Sequence, residues 1–400
     1  MKIDKGGGIE EGGNESYRCE AGICSLSLPG EFSYTAERKL RTAVVGMGFI
    51  GCHGLDQQEK PPLSLPPRVN GMDCVVAILS VATSSSSPLT RMAFLRAWEA
   101  ACRTPGAVEL IIPKLRTFLV GPVYFKGRCR SDFIHVQILG NITAPASPSH
   151  WKGHDMGHWL SFYQVHNLII DGTGTINGMG SAWWDCKRRQ DKALEIMQCE
   201  HVSVSGITTL NSQGVHVKIG FSQDVTVSNI KIIAPKDSPN TDGINMGGSQ
   251  YVRIQDCTIR TGDDCIAMLA GSSHINISRI SCGPGHGVSI GSLGRYSQMD
   301  KVDHIGVTDV NFFDTMNGAR IKTWQKEAVK IQGVSFIGAV GTTTSDVAIN
   351  LKCSSSVPCT EILLRDVNLT AAVPHEKTRA YCSNTRGQFS SIVSPRVPCL

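Results

Sequence analysis

Aromatic residues make up only 6% of this 400-residue chain. No stretch of 18 apolar residues is present, which excludes a helical membrane span. No run of basic residues offers a nucleic-acid surface. No CxxC pair stands at zinc-like spacing from histidines, so a structural metal site is a poor reading. Met1 is followed by Lys2, Asp4, Lys5 and glycines rather than by an apolar run, so no signal peptide is visible there.

What is present points to many short strands. Hydrophobic residues reach 41%, enough for a sizeable core, and the 41 glycines supply turns. The net charge of +5 suits an anionic partner. There are 15 cysteines, and from position 186 onward they are spaced like local staples. Cys265 and Cys282 flank one segment, Cys353 and Cys359 bracket a short loop, and Cys382 and Cys399 bracket the tail. That usage fits an oxidising compartment. Asn141, Asn276 and Asn368 each open an N-glycosylation triplet.

Residues 1–90 read as a poorly matched N-terminal extension, with the main domain over 91–400. Gly46, Gly48 and Gly51 form a GxGxxG, but the Pro-rich text after Gln57 cannot build the βαβ unit that dinucleotide binding requires. The apolar run Met72–Ala82 lacks a basic leader and reads equally well as a buried strand. From Arg91 to Cys102, Phe94, Leu95, Trp98, Ala101 and Cys102 recur at helical spacing. Trp98 is expected in packing rather than on a sugar.

From residue 167 the chain repeats itself. Segments starting at Asn167, His201, Asp224, Tyr251, His274, His304, Ala328 and Glu361 each read polar, apolar, variable, apolar, polar. The starts fall 34, 23, 27, 23, 30, 24 and 33 residues apart. Such periods mean a solenoid, and strand-and-turn text without helical period means a parallel β-helix. A doubly wound sheet would need helices in intervals that instead hold Gly, Asn, Ser and Pro.

Four polar clusters interrupt this pattern: Asn240-Thr241-Asp242-Gly243, Gly262-Asp263-Asp264-Cys265, Gly285-His286-Gly287 and Arg320-Ile321-Lys322. Alone, each is an ordinary polar turn or a solvated strand face. Measured from their own repeat starts, however, Asp242 lies at 18, Asp263 and Asp264 at 12 and 13, His286 at 12, and Arg320 and Lys322 at 16 and 18. Similar offsets predict one side of four consecutive coils, a span of about 15 Å at the strand spacing. Three carboxylates there can protonate a leaving oxygen and activate water. Arg320 and Lys322 alternate with Ile321, so both cations share a face and suit a carboxylate on the substrate.

Taken together and in order, these clusters, with Ser238-Pro239 before the first and Ser289-Ile290-Gly291-Ser292 after the third, resemble the polygalacturonases, most closely the plant ones. The resemblance covers roughly 93–400. It implies a single-stranded, right-handed parallel β-helix with a short N-terminal capping helix, and a Cys265–Cys282 disulfide. It implies inverting hydrolysis of α-1,4-linked galacturonan, with Asp263 as general acid and Asp242 and Asp264 holding the water. His286 would orient the acid or bond the ring, while Asn240, Arg320 and Lys322 would bind substrate. The implied setting is a secreted monomer acting on pectin in the cell wall, with no metal or cofactor.

The chain departs from that family after Lys322. One repeat start, Ala328, precedes Cys353, and no tyrosine follows until Tyr381. The solenoid is expected to lack a coil, and with it one cleft wall. Other readings are a hydrolase of rhamnose-containing pectin, a calcium-dependent lyase, and a weakened β-helix that only binds pectin.

Overall fold

The computed structural model of the chain describes residues 2–5, 48–52, 74–77, 88–151, 157–185, 192–295, 299–324 and 329–400. The architecture is a parallel β-solenoid with one α-helix. An 11-stranded and a 16-stranded sheet run along its length, with a 5-stranded sheet at the C-terminal end.

Period-two apolar residues line the interior. Leu168, Val202, Val225, Val252 and Ile275 occupy one register column across five coils, and all are buried. Each such side chain contributes about 1.5–3 kcal/mol by leaving water. The repeat has a backbone cause as well. Asn167, His201, Asp224, Tyr251, His274, His304 and Glu361 all adopt φ between 52° and 55°. Left-handed backbone is costly for residues other than Gly, yet each coil turns its corner at this position. Seven of the eight repeat starts are therefore corners; Ala328, the eighth, lies outside the described residues.

At the N-terminal end, the helix Pro88–Arg103 covers the open sheet edge. Phe94, Ala97, Trp98 and Ala101 face the core. The Trp98 indole packs against Phe125 and Phe162 and donates to the Lys126 carbonyl at 2.9 Å, so its role is packing. A Cys102–Cys129 disulfide ties the helix down, a pairing the sequence reading does not contain. The three expected staples, Cys265–Cys282, Cys353–Cys359 and Cys382–Cys399, all form.

Of the expected extension over 1–90, most lies outside the described residues. Gly48–Cys52 pairs antiparallel with Cys74–Ala77, not in the parallel arrangement of a dinucleotide unit, and Cys74–Ala77 joins Gly106–Ile112. Lys2–Lys5 enters the 11-stranded sheet between Ala319–Thr323 and Val347–Lys352, parallel to both.

The 16-stranded sheet ends before the chain does. Asp303–Phe312 is the last coil of the 16-stranded sheet. The short strands Ile331–Gln332, Ser335–Ile337 and Val340–Thr343 pair instead with Cys359–Ala371. The core divides accordingly: a large cluster ends near Val288, and a small one gathers Ile321, Ile349, Leu351, Ile362 and Leu364. Val307, in that last strand of the 16-stranded sheet, is 37% exposed.

Candidate active site

Four consecutive strands of the 11-stranded sheet carry the four polar clusters: Ile244–Gly247, Ile266–Met268, Val288–Leu293 and Ala319–Thr323. Asp242 precedes the first, Asp263 and Asp264 the second, His286 the third, and Arg320 and Lys322 lie in the fourth. All six residues thus lie on or just before four adjacent strands, as their similar repeat offsets predict.

Backbone rungs hold the turns in step. The amides of Gly243 and His286 donate to the carbonyls of Asp264 and Asp263 at 2.9 and 2.8 Å. Gly262 N donates to the Thr241 hydroxyl at 3.0 Å, which links the first two turns. Gly287 has φ 93°, and a Cβ there would stand 2.1 Å from the Asn317 carbonyl oxygen. Its glycine is required by the next coil rather than by an approaching sugar. Asn240 takes φ 55° in the first turn, a conformation asparagine tolerates well.

The three carboxylates have different surroundings. Asp264 is 3% exposed at its side chain. Arg320 Nη2 lies 2.7 Å from its Oδ1, Lys322 Nζ lies 2.8 Å from its Oδ2, and the Ser289 hydroxyl donates to Oδ1 at 2.6 Å. Asp263 pairs with His286, Nδ1 to Oδ1 at 2.9 Å, and also accepts the Asp264 backbone N–H at 2.8 Å. Burial pushes the Asp263 pKa up, but the His286 hydrogen bond and charge outweigh it, and the net shift is downward. Asp242 accepts one side-chain bond, from Asn245 Nδ2 at 2.7 Å. Burial, then the charges of Asp263 and Asp264, push it up to about 7. Among the three carboxylates, Asp242 is thus the one whose surroundings favour the protonated form, and Asp263 one whose surroundings favour the charged form.

Asp263, Asp264 and His286 offer three ligand atoms within 4.8 Å of one another. Both oxygens of Asp264 already face cations. A calcium ion wants six to eight oxygens, and the guanidinium and ammonium would repel it.

Sequence reasoning missed the polar column on which this cluster stands. Register places Ser161, Glu195, Lys218, Asn245, Ala267, Ser289 and Arg320 side by side. The signal was available: Glu195, Lys218 and Asn245 each stand between buried apolar neighbours, Leu194 and Ile196, Val217 and Ile219, and Ile244 and Met246. Glu195 is buried and bonded by His158 Nδ1 and by the Ser161 hydroxyl at 2.8 Å. Lys218 donates to Asn245 Oδ1 at 2.6 Å. His216, on the same strand, is fully buried with Nδ1 2.9 Å from the Thr209 hydroxyl.

Comparisons with known proteins return polygalacturonases and related hydrolases. A probable polygalacturonase of Arabidopsis thaliana is 40% identical over 351 residues, covering 77% of this chain and 76% of that protein. A polygalacturonase of Persea americana is 36% identical over 340 residues, 73% of each chain. Among solved structures, an exopolygalacturonase of Thermotoga maritima superposes with a TM-score of 0.60 at 18% identity, over 74% of this chain and 87% of that one. An endo-xylogalacturonan hydrolase of Aspergillus tubingensis gives 0.63 at 22% identity, over 79% and 91%. The latter two speak for the fold. The model of glycosyl hydrolases family 28 matches residues 102–339 and 325–392, and the chain belongs to that family.

Proposed function

We propose that the protein hydrolyses α-1,4 bonds between galacturonic acid residues of polygalacturonan, with inversion. The observation that carries this reading is the convergence of Asp242, Asp263, Asp264 and His286 beside Arg320 and Lys322. A glycosidic bond needs a proton for its leaving oxygen and a base for water. Asp263, hydrogen-bonded by His286, serves as the acid, and Asp242 and Asp264 hold and deprotonate the water. Arriving galacturonate offers Arg320 and Lys322 a second carboxylate, two-pronged for Arg and a point charge for Lys. Asn240 contacts the sugar from the first turn.

Secretion into the cell wall as a monomer completes the proposal. Four disulfides fit an oxidising compartment. The triplet residues Asn141, Asn276 and Asn368 are all exposed, as glycosylation requires, and one chain carries the whole cluster.

A second assignment of roles is favoured by the opposite shifts of the two groups, upward at Asp242 and downward at Asp263. There Asp242 is the acid and Asp263, its pKa lowered, is the base. Both assignments are tested by incubating the protein with de-esterified polygalacturonate while following reducing ends and unsaturated products. Reducing ends alone support hydrolysis; unsaturated products would mean a lyase. Binding without turnover would leave a pectin-binding β-helix. Asp263→Asn and Asp242→Asn are then compared on an aryl galacturonide, whose good leaving group needs no proton. The variant that keeps its rate there has lost the acid.

A further inference from the structure

Lys218 projects from the strand Val215–Gly220 on the face that carries the carboxylate cluster, one coil before Asp242. Val217 and Ile219 on either side are fully buried, so alternation fixes its direction. Its ammonium donates to Asn245 Oδ1 at 2.6 Å, and Asn245 Nδ2 donates to Asp242 Oδ2 at 2.7 Å. Asn245 is only 8% exposed. Glu195, the register neighbour of Lys218 on its other side, is already bonded by His158 and Ser161.

An amide can face either way, and its two ends have opposite polarity. An ammonium can only donate, so Lys218 draws the amide oxygen toward itself. The NH2 group must then face Asp242. Reversing the amide would set NH2 against NH3+ in place of a charge-assisted bond, whatever the charge on Asp242. Asn245 alone has no reason to prefer one orientation.

The geometry points to Lys218 as a positioning residue: its ammonium orients the Asn245 amide, and the amide holds the Asp242 carboxylate at the reacting centre. Among the described residues, Asn245 provides the only side-chain hydrogen bond to Asp242. Lys218 is itself pulled down to about 8, mainly by burial and then by Lys192, while Asp242 and Glu195 oppose that shift. It therefore carries its charge at neutral and acid pH. This inference rests on the hydrolase reading for its kinetic consequence, but not for its structural one.

The test uses Lys218→Met, Lys218→Arg and Asn245→Leu in the full chain. With 13C-labelled aspartate, the Asp242 carboxyl is titrated by NMR, a readout independent of turnover. The groups facing Asp242 are Asn245 on its own coil, Lys218 before it, Asp263 and Asp264 after it, and Lys322 beyond. Lys218→Met is expected to raise the Asp242 midpoint by about one unit, through loss of a bond to a charged group. On polygalacturonate it should lower kcat roughly 10- to 100-fold with KM little changed. Lys218→Arg should restore most of both. Lys218→Met and Asn245→Leu combined should cost no more than either alone, because they break one chain.

An unmoved Asp242 midpoint in folded Lys218→Met overturns the inference, whatever the activity. So does a rise in KM with kcat intact, which would make Lys218 a contact to substrate. A wild-type protein that releases no reducing ends would instead sink the hydrolase reading, and the NMR titration would still decide the role of Lys218.

Discussion

Arg320 and Asp264 stand 2.7 Å apart, Nη2 to Oδ1, although 56 residues separate them in the chain. Lys322 closes the other oxygen of the same carboxylate at 2.8 Å. The two cations expected to receive a substrate carboxylate are thus already neutralising one of the protein's own. Asp264 thus holds the cation pair in place.

Removing that carboxylate should be costly to the fold. In Asp264→Asn, Arg320 and Lys322 keep their charges with no anion between them. Breaking a buried pair from one side typically costs about 3–5 kcal/mol. Partial exposure of both cations, 15% and 26%, brings the expectation to the lower end, about 3 kcal/mol. Urea unfolding of wild type and variant measures it, and an unchanged midpoint would mean that solvent already screens the pairs.

Asp263→Asn should abolish most turnover. Loss of a general acid typically costs about 100- to 10,000-fold in rate, while binding survives because Arg320 and Lys322 are untouched. Reducing-end release and equilibrium binding of oligogalacturonate separate the two effects. Turnover within twofold of wild type would remove Asp263 from the reaction.

Asp242, partly exposed, and His216, fully buried, give stability opposing pH dependences. Asp242 is raised from 3.8 to about 7. Between those values the folded chain keeps a proton that the unfolded chain releases, so this contribution is full below about 3.8 and is lost as pH rises through 7. His216 is lowered by burial from 6.5 to about 3. Below 6.5 the unfolded chain takes up a proton that the folded chain refuses, so its contribution is full above 6.5 and is lost as pH falls toward 3. Asp242→Asn should accordingly be more stable than wild type at pH 8, by on the order of 1–3 kcal/mol, and nearly equal to it at pH 4. His216→Asn should flatten the acid side instead. Unfolding curves at pH 4, 6 and 8 check both signs.

The Cys265–Cys282 bridge closes a loop of sequence separation 17, and Cys265 follows Asp264 directly. Opening such a loop costs about 3 kcal/mol in the chain-entropy account. The paired Cys265→Ala, Cys282→Ala variant should melt several degrees lower and lose activity together with the placement of Asp264. Thermal scans and reducing-end assays on the same preparation test this. Loss of stability with full activity would show that the backbone rungs alone hold the turn.

Much of the fold was legible because a solenoid writes itself as a repeat. The corner residues, from Asn167 to Glu361, share one backbone conformation and therefore one place in the pattern. The column of Lys218 and Asn245 was harder to see, because no turn motif marks it. Lys218 looks like any solvated strand lysine until the register sets it opposite Asn245. The Cys102–Cys129 bridge escaped for a similar reason: helix periodicity explains Cys102 as packing, and nothing local names its partner.

By itself the sequence determined the parallel β-helix, the capping helix, three of the disulfides and the gathering of six site residues on four coils. The repeat and the gathering follow from periods and offsets along the chain, while the capping role of the helix and the Cys265–Cys282 pairing came with the family resemblance. Only the tertiary structure decided which charge sits beside which. Asp264 was assigned two cations, Asp263 a histidine, and Asp242 a single amide. Proton affinities depend on burial and on distances of a few ångströms between coils, and no spacing in the sequence carries that information.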